Sequence, residues 1–148
     1  MIQGAPELPA VVHQNITLFS RFISLSHYVT QTLLSCLSDA LQLGDSDRLE
    51  KSHRDGEPSN TTLTMLHYPE DTNAVNVGHN KHTDIGSLTL LFTEQWGLQV
   101  LEPETKNWTF VQPKAGHAVV NAGDSLRFLS GKRLRSCVHH VVPPGGGC

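Results

Sequence analysis

The sequence has few cysteines and no long basic run, and each shortage excludes a class of protein. Its three cysteines, Cys36, Cys137 and Cys148, are odd in number and widely spaced, so they do not form the pattern of a disulfide framework. Reduced thiols in a cytoplasmic protein are expected instead. The net charge is −3, and the basic residues at 132, 133 and 135 form only one short cluster. This charge pattern does not favour nucleic-acid binding.

The sequence also lacks a long uninterrupted apolar run. Its longest apolar-rich stretch, residues 18–43, is broken by Ser, Arg, His, Gln and Asp, whereas a membrane span needs about 20 consecutive apolar residues. The first residues do not show the charged and then apolar pattern of a secretion signal. The fraction of hydrophobic residues is 38% and that of charged residues is 17%. These values predict a globular protein without a membrane partner.

The order of hydrophobic patterns along the chain predicts a helix followed by short strands. Apolar residues at steps of three or four predict one long amphipathic helix from Asn15 to about Gly44. The polar residues 45–60 that follow fit a short helix at their start and then a loop. Strands are then predicted, with turn signals between them, at 61–68, 88–92, 98–102, 108–111, 117–121 and 137–142. Residues 125–129 fit either a short helix or a strand. The expected fold is a β sandwich or barrel (61–148) after a helical lead-in (1–60).

The most informative residues are His82 and Asp84. In an extended backbone, residues two apart point to the same face, so an imidazole and a carboxylate can aim at one point. They would supply two ligands of a 2-His-1-carboxylate triad for Fe(II). Without further evidence a structural hydrogen-bonded pair is an equal alternative. The third ligand would come from His139 or His140, which face opposite sides of a predicted strand, so that only one of them can join the site.

The residues from His82 to Leu91 read HTDIGSLTLL and resemble the HTD-x-G-x-L-T-L-L segment of iron- and 2-oxoglutarate-dependent dioxygenases related to isopenicillin N synthase. The similarity extends through residues 96–100, 113–124 and 130–142. Upstream, Leu66-His67-Tyr68-Pro69 is similar to the strand that carries the family's N-x-Y-P tyrosine. The resemblance covers residues 61–142 in register.

The resemblance implies a double-stranded β-helix (jelly-roll) with Fe(II) in its mouth. His82, Asp84 and His139 fall on the iron-ligand positions, and Tyr68 falls on the tyrosine that binds the distal carboxylate of 2-oxoglutarate. The implied enzyme would use 2-oxoglutarate and O2, with ascorbate supporting turnover. It would hydroxylate, desaturate or cyclise a small-molecule metabolite, of the kind made in secondary metabolism.

The sequence departs from the family pattern in two places. His140 stands where the family usually has an arginine. No arginine follows His139, whereas the family has an R-x-S motif about ten residues further on, whose arginine pairs with 2-oxoglutarate. We therefore expect a jelly-roll that is incomplete at the C-terminus. The chain would be a fragment or, alternatively, a truncated and catalytically impaired paralogue that keeps the iron triad and lacks the cofactor-binding arginine.

Overall fold

The structure is a computed structural model that describes residues 8–67 and 79–142. The chain divides into two compact units, residues 1–57 and residues 58–148. Among the described residues, no helix is both long enough and apolar enough to cross a membrane.

The first unit is built on a long helix. A short helix α1 (Ala10–Gln14) precedes helix α2 (Ile16–Ala40), and the backbone of Asn15 leaves the helical conformation between them. The sequence predicts one helix that continues to about Gly44, but α2 ends at Ala40. Gln42 adopts a left-handed conformation (φ 55°), and the N–H groups of Gln42 and Leu43 donate to Asp39 and Ser38 carbonyls. This pair of hydrogen bonds is a Schellman motif, which ends the helix before the glycine.

Two short 3-10 turns, Asp45–Asp47 and Leu49–Ser52, follow α2, and the second of them packs on it. The contact face of α2 includes Ser38, which is fully buried. The Ser38 hydroxyl lies 2.8 Å from Glu50 Oε2 and accepts a hydrogen bond from the Leu49 N–H at 2.9 Å. Arg48 donates to Glu50 and to Asp39. A polar network therefore fixes the second turn to the helix.

The second unit contains two antiparallel sheets. The strands are β1 (His79–His82), β2 (Leu88–Leu91), β3 (Leu98–Leu101), β4 (Trp108–Phe110), β5 (Val119–Ala122) and β6 (His139–Val141). A four-stranded sheet has the order β1-β6-β3-β4, and a two-stranded sheet pairs β2 with β5. Helix α3 (Asp124–Leu129) follows β5, so the helical alternative at 125–129 is the one that forms.

One predicted strand does not form. Residues 61–67 have no regular secondary structure and are exposed. Within the described part of the chain no strand pairs with them, and a β-prone sequence needs a hydrogen-bonded neighbour to become a strand. Tyr68, the last residue of that prediction, lies outside the described residues.

The register of the four-stranded sheet decides which side chains share a face. His82 lies opposite His139, and His139 lies opposite Val100. Directly opposed residues of antiparallel strands point to the same side of a sheet. His140 lies opposite Gln99 and points to the other side. One face of this sheet thus carries His82 and His139 together.

Candidate metal centre

Three potential metal ligands converge where strand β1 ends and strand β6 begins. His82 ends β1, Asp84 follows two residues later, and His139 begins β6. The Nε2 atoms of His82 and His139 lie 3.4 and 3.6 Å from Asp84 Oδ1. One ligand atom from each residue lies within 4.8 Å of the other two. We call these three residues the triad.

Backbone carbonyls orient both imidazoles of the triad. The Nδ1 atom of His82 lies 2.7 Å from the carbonyl oxygen of Asn80. The Nδ1 atom of His139 lies 3.0 Å from the carbonyl oxygen of Cys137. A carbonyl oxygen only accepts hydrogen bonds, so these contacts assign the proton to Nδ1 in a neutral ring. The lone pair of each Nε2 atom is then available to a metal ion.

The two-stranded sheet holds the carboxylate of Asp84. Its Oδ2 atom accepts hydrogen bonds from Thr89 Oγ1 at 2.6 Å and Asn121 Nδ2 at 2.8 Å. Thr89 and Asn121 are opposed residues of β2 and β5. Burial by itself raises the pKa of Asp84, but the hydrogen bonds from Asn121 and Thr89 and the nearby histidines lower it below its usual value. The group is therefore an ionised carboxylate at neutral pH, with Oδ1 directed at the histidines.

This donor set fits a non-haem Fe(II) ion. Two neutral imidazole nitrogens and one carboxylate oxygen are the protein ligands of the facial triad, which leaves further coordination positions for other ligands. The hydrogen bonds that Nδ1 of each ring donates, and those that Oδ2 of the carboxylate accepts, are the usual outer contacts of metal ligands. The triad thus has both the ligand chemistry and the supporting contacts of a metal centre.

The other histidines near the triad have different surroundings. The exposed ring of His79 contacts the ring of His82, with 4.6 Å between the centroids. His140 stacks on Trp108 at 4.0 Å, and its Nε2 atom lies 2.6 Å from Gln99 Oε1. The structure therefore places His139, and not His140, beside His82 and Asp84.

The sequence patterns missed Thr89 and Asn121 as part of the site. Thr89 lies inside the segment quoted for the resemblance, but an alternating strand pattern does not reveal what a threonine hydroxyl contacts. Asn121 is 37 residues from Asp84, and only the pairing of β2 with β5 brings the two together. Tyr68, the predicted 2-oxoglutarate ligand, lies outside the described residues.

The sequence around the triad matches a known protein family. The sequence profile of the 2OG-Fe(II) oxygenase superfamily matches residues 59–147. The chain belongs to this superfamily. Enzymes of the 2OG-Fe(II) oxygenase superfamily use Fe(II) and 2-oxoglutarate, and the predicted resemblance is confirmed.

Two curated relatives show how much of a longer oxygenase sequence this chain matches. The 2-oxoglutarate-dependent dioxygenase iboH of Amanita muscaria is 59% identical over 93% of this chain and 68% of its own length. The 2-oxoglutarate-dependent dioxygenase FG08081 of Gibberella zeae is 49% identical over 98% of this chain and 44% of its own length. The chain therefore spans about two thirds of the first relative and less than half of the second.

A crystal structure of a Shewanella oneidensis protein superimposes with a TM-score of 0.68, at 20% identity, over 99% of this chain and 55% of that chain. This likeness concerns the fold alone. Together with the superfamily match, it confirms the predicted β fold of the jelly-roll type with a helix before it.

Proposed function

We propose that the chain carries the metal centre of an Fe(II)- and 2-oxoglutarate-dependent oxygenase. His82, Asp84 and His139 would hold the iron. The observation that carries the proposal is the convergence of two Nε2 atoms and Asp84 Oδ1 within 4.8 Å in a member of this superfamily. The printed names of the two relatives, both 2-oxoglutarate-dependent dioxygenases, support the choice of co-substrate.

The residues of the chain would prepare the site for this chemistry. His82 and His139 present Nε2 because backbone carbonyls hold their Nδ1 protons. Asp84 presents Oδ1 because Thr89 and Asn121 occupy Oδ2. When bound, Fe(II) supplies redox chemistry that couples the decarboxylation of 2-oxoglutarate to oxidation of an organic substrate by O2.

We also propose a substrate class, a co-substrate ligand and a location for this oxygenase. The substrate would be a small-molecule metabolite of a secondary biosynthetic pathway, and the outcome would be hydroxylation, desaturation or ring closure. Tyr68 would bind 2-oxoglutarate, and residues 61–148 would form the oxygenase domain after the lead-in 1–60. A cytoplasmic location is supported by the free thiols of Cys36 and Cys137.

The first test compares metal binding and turnover in two histidine variants. We expect wild-type protein to bind one Co(II) or Fe(II) per chain, and His82→Ala to lose this binding because it removes one of three ligands. With Fe(II), ascorbate and 2-oxoglutarate, succinate formation should also be lost. Calorimetric titration under anaerobic conditions and chromatography of succinate measure the two effects.

The matched control is His117→Ala. His117 is exposed, and its Nδ1 atom lies 2.9 Å from the carbonyl oxygen of Ala115, the same local contact that His82 and His139 make. This variant should bind metal as the wild type does. Equal metal binding by wild type and His82→Ala would refute the proposed centre, and metal binding without succinate formation would refute oxygenase activity of this chain.

A further inference from the structure

We propose that Asp124 is a positioning residue that fixes the separation between the two ligand-bearing segments of the triad. Its Oδ2 atom accepts a hydrogen bond from Thr83 Oγ1 at 2.9 Å, and its Oδ1 atom accepts one from the Ser136 hydroxyl. Thr83 stands between His82 and Asp84, and Ser136 stands three residues before His139. A single carboxylate therefore connects both segments. This inference rests on the proposed function of the triad in metal binding.

The backbone around Asp124 is attached to the Asp84 side of the site. The N–H of Asp124 donates to the carbonyl oxygen of Asp84 at 2.7 Å. The N–H groups of Gly123 and Ser125 donate to the carbonyls of Ser87 and Ile85, at 2.9 and 3.1 Å. The start of α3 is thus fastened to the segment that carries the carboxylate ligand. The position of the Asp124 side chain relative to Asp84 is set by three backbone hydrogen bonds.

The close approach of these backbones explains the glycine before Asp124. A Cβ atom at Gly123 would lie 2.1 Å from the carbonyl oxygen of Gly86 and 2.8 Å from that of Asp84. Both distances are far below van der Waals contact, and both neighbours are backbone atoms that do not move aside easily. Gly123 therefore permits the contact that places Asp124 beside Thr83.

The other connection leads to the imidazole of His139. Residues 135–138 have no regular secondary structure, although the carbonyl oxygen of Val138 accepts a hydrogen bond from the Leu101 N–H at 2.9 Å. The hydrogen bond from Ser136 to Asp124 fixes this irregular segment just before Cys137. The carbonyl of Cys137 in turn holds Nδ1 of His139. Asp124 thereby acts on the direction of the His139 ring through Ser136 and Cys137.

Asp124 is the first residue of α3, where an acidic side chain is common for reasons that concern the helix alone. Its carboxylate instead contacts hydroxyls that are 41 and 12 residues away in sequence. The hydrogen bonds from Ser136 and Thr83 lower its pKa below the usual value, so it remains an ionised acceptor at neutral pH. These contacts connect the ligand segments and go beyond a role in starting the helix.

The test measures Co(II) affinity of the full chain after removal of single hydroxyls. Thr83→Val and Ser136→Ala each remove one connection, and we expect each to weaken Co(II) binding by about tenfold, in the range found for outer contacts of metal ligands. Thr83→Ser restores the hydroxyl and should restore the affinity. Both connections end on the carboxylate of Asp124. The double variant Thr83→Val/Ser136→Ala and the single variant Asp124→Ala should therefore lose the same Co(II) affinity.

The matched control is Thr109→Val. Its hydroxyl donates to the Glu102 carboxylate at 2.8 Å, a bond of the same kind between two residues that do not belong to the triad. We expect Thr109→Val to keep wild-type Co(II) affinity. The visible absorption spectrum of bound Co(II) should change in Thr83→Val and Ser136→Ala and stay unchanged in Thr109→Val. This spectrum reports the geometry of the metal ligands. A merely structural role of the hydroxyls would lower the melting temperature without changing the spectrum.

The outcomes separate this inference from the proposed function. If the wild type does not bind Co(II), the proposed function fails. If the wild type binds Co(II), and folded Thr83→Val and Ser136→Ala match it within twofold with an unchanged spectrum, the positioning role of Asp124 is overturned. Should Asp124→Ala not fold, the two single-hydroxyl variants and the Thr83→Ser rescue still decide the question.

Discussion

At the residue scale, the two oxygens of the Asp84 carboxylate have different surroundings. Oδ1 faces the two imidazoles, whereas Oδ2 accepts hydrogen bonds from Thr89 and Asn121. A carboxylate held in this way can offer one oxygen to a metal while the other is occupied. Two neutral side chains, Thr89 and Asn121, thus determine which oxygen of Asp84 is available to a metal ion.

Thr89→Val keeps the shape of a β-branched side chain and removes the hydroxyl that binds Oδ2. The freed carboxylate can then rotate, so we expect Co(II) affinity to fall by about tenfold. Thr89→Ser should bind nearly as tightly as wild type because it keeps the hydroxyl. Calorimetric titration of the folded proteins measures the effect. Unchanged affinity in Thr89→Val would mean that Asn121 alone orients the carboxylate.

The sequence predicts the residues of the triad better than it predicts the contacts that hold them. His82 and Asp84 are two residues apart, and that spacing carries chemical meaning in an extended backbone. The contact of Asn121 with Asp84 depends on strand pairing, and the contact of Asp124 with Thr83 depends on a helix start that lies against a loop. Neither has a local pattern, because residues 37 and 41 apart are brought together only by the fold.

At the element scale, the local sequence was sufficient to predict strands where apolar and polar residues alternate and turn residues separate one strand from the next. Strands β2 to β5 lie inside or within one residue of the predicted runs. The end of α2 was less predictable, because Gln42 takes the left-handed position that usually belongs to glycine. The predicted strand at 61–67 lacks a pairing partner in the described part of the chain, and pairing is a property of the sheet and not of the segment.

The attachment of the second 3-10 turn, Leu49–Ser52, to α2 depends on an ionised Glu50. Burial raises the pKa of Glu50, but hydrogen bonds from Arg48 and Ser38 outweigh it and lower the pKa from 4.5 to about 2. Since the folded pKa is below the unfolded one, the stabilisation is complete above about pH 4.5 and is lost as the pH falls towards 2.

Glu50→Gln should therefore destabilise the chain more at pH 7 than at pH 3. Urea unfolding followed by circular dichroism at 222 nm, where α2 dominates the signal, measures the difference at each pH. The exposed Glu57→Gln is the control, and its effect should be small at both values. A difference between wild type and Glu50→Gln that does not shrink at pH 3 would contradict the role of the ionised carboxylate.

At the scale of the whole molecule, both sheets of the second unit contribute to one site. The four-stranded sheet carries His82 and His139, and the two-stranded sheet carries Thr89 and Asn121, which hold Asp84. A metal ion bound to the triad would therefore contact groups that depend on both sheets. Metal binding should be linked to the folding of this unit, because unfolding separates the ligands.

We expect Co(II) to stabilise the second unit by mass action. At a free concentration 100 times the dissociation constant, the free energy of unfolding should rise by about 2.7 kcal/mol, and excess EDTA should reverse the gain. Both tryptophans of the chain, Trp96 and Trp108, lie in this unit, so their emission during urea unfolding reports on it. His82→Ala should show no increase. An equal increase in that variant would place the stabilising metal outside the triad, whereas its loss would show that the triad joins the two sheets through a metal ion.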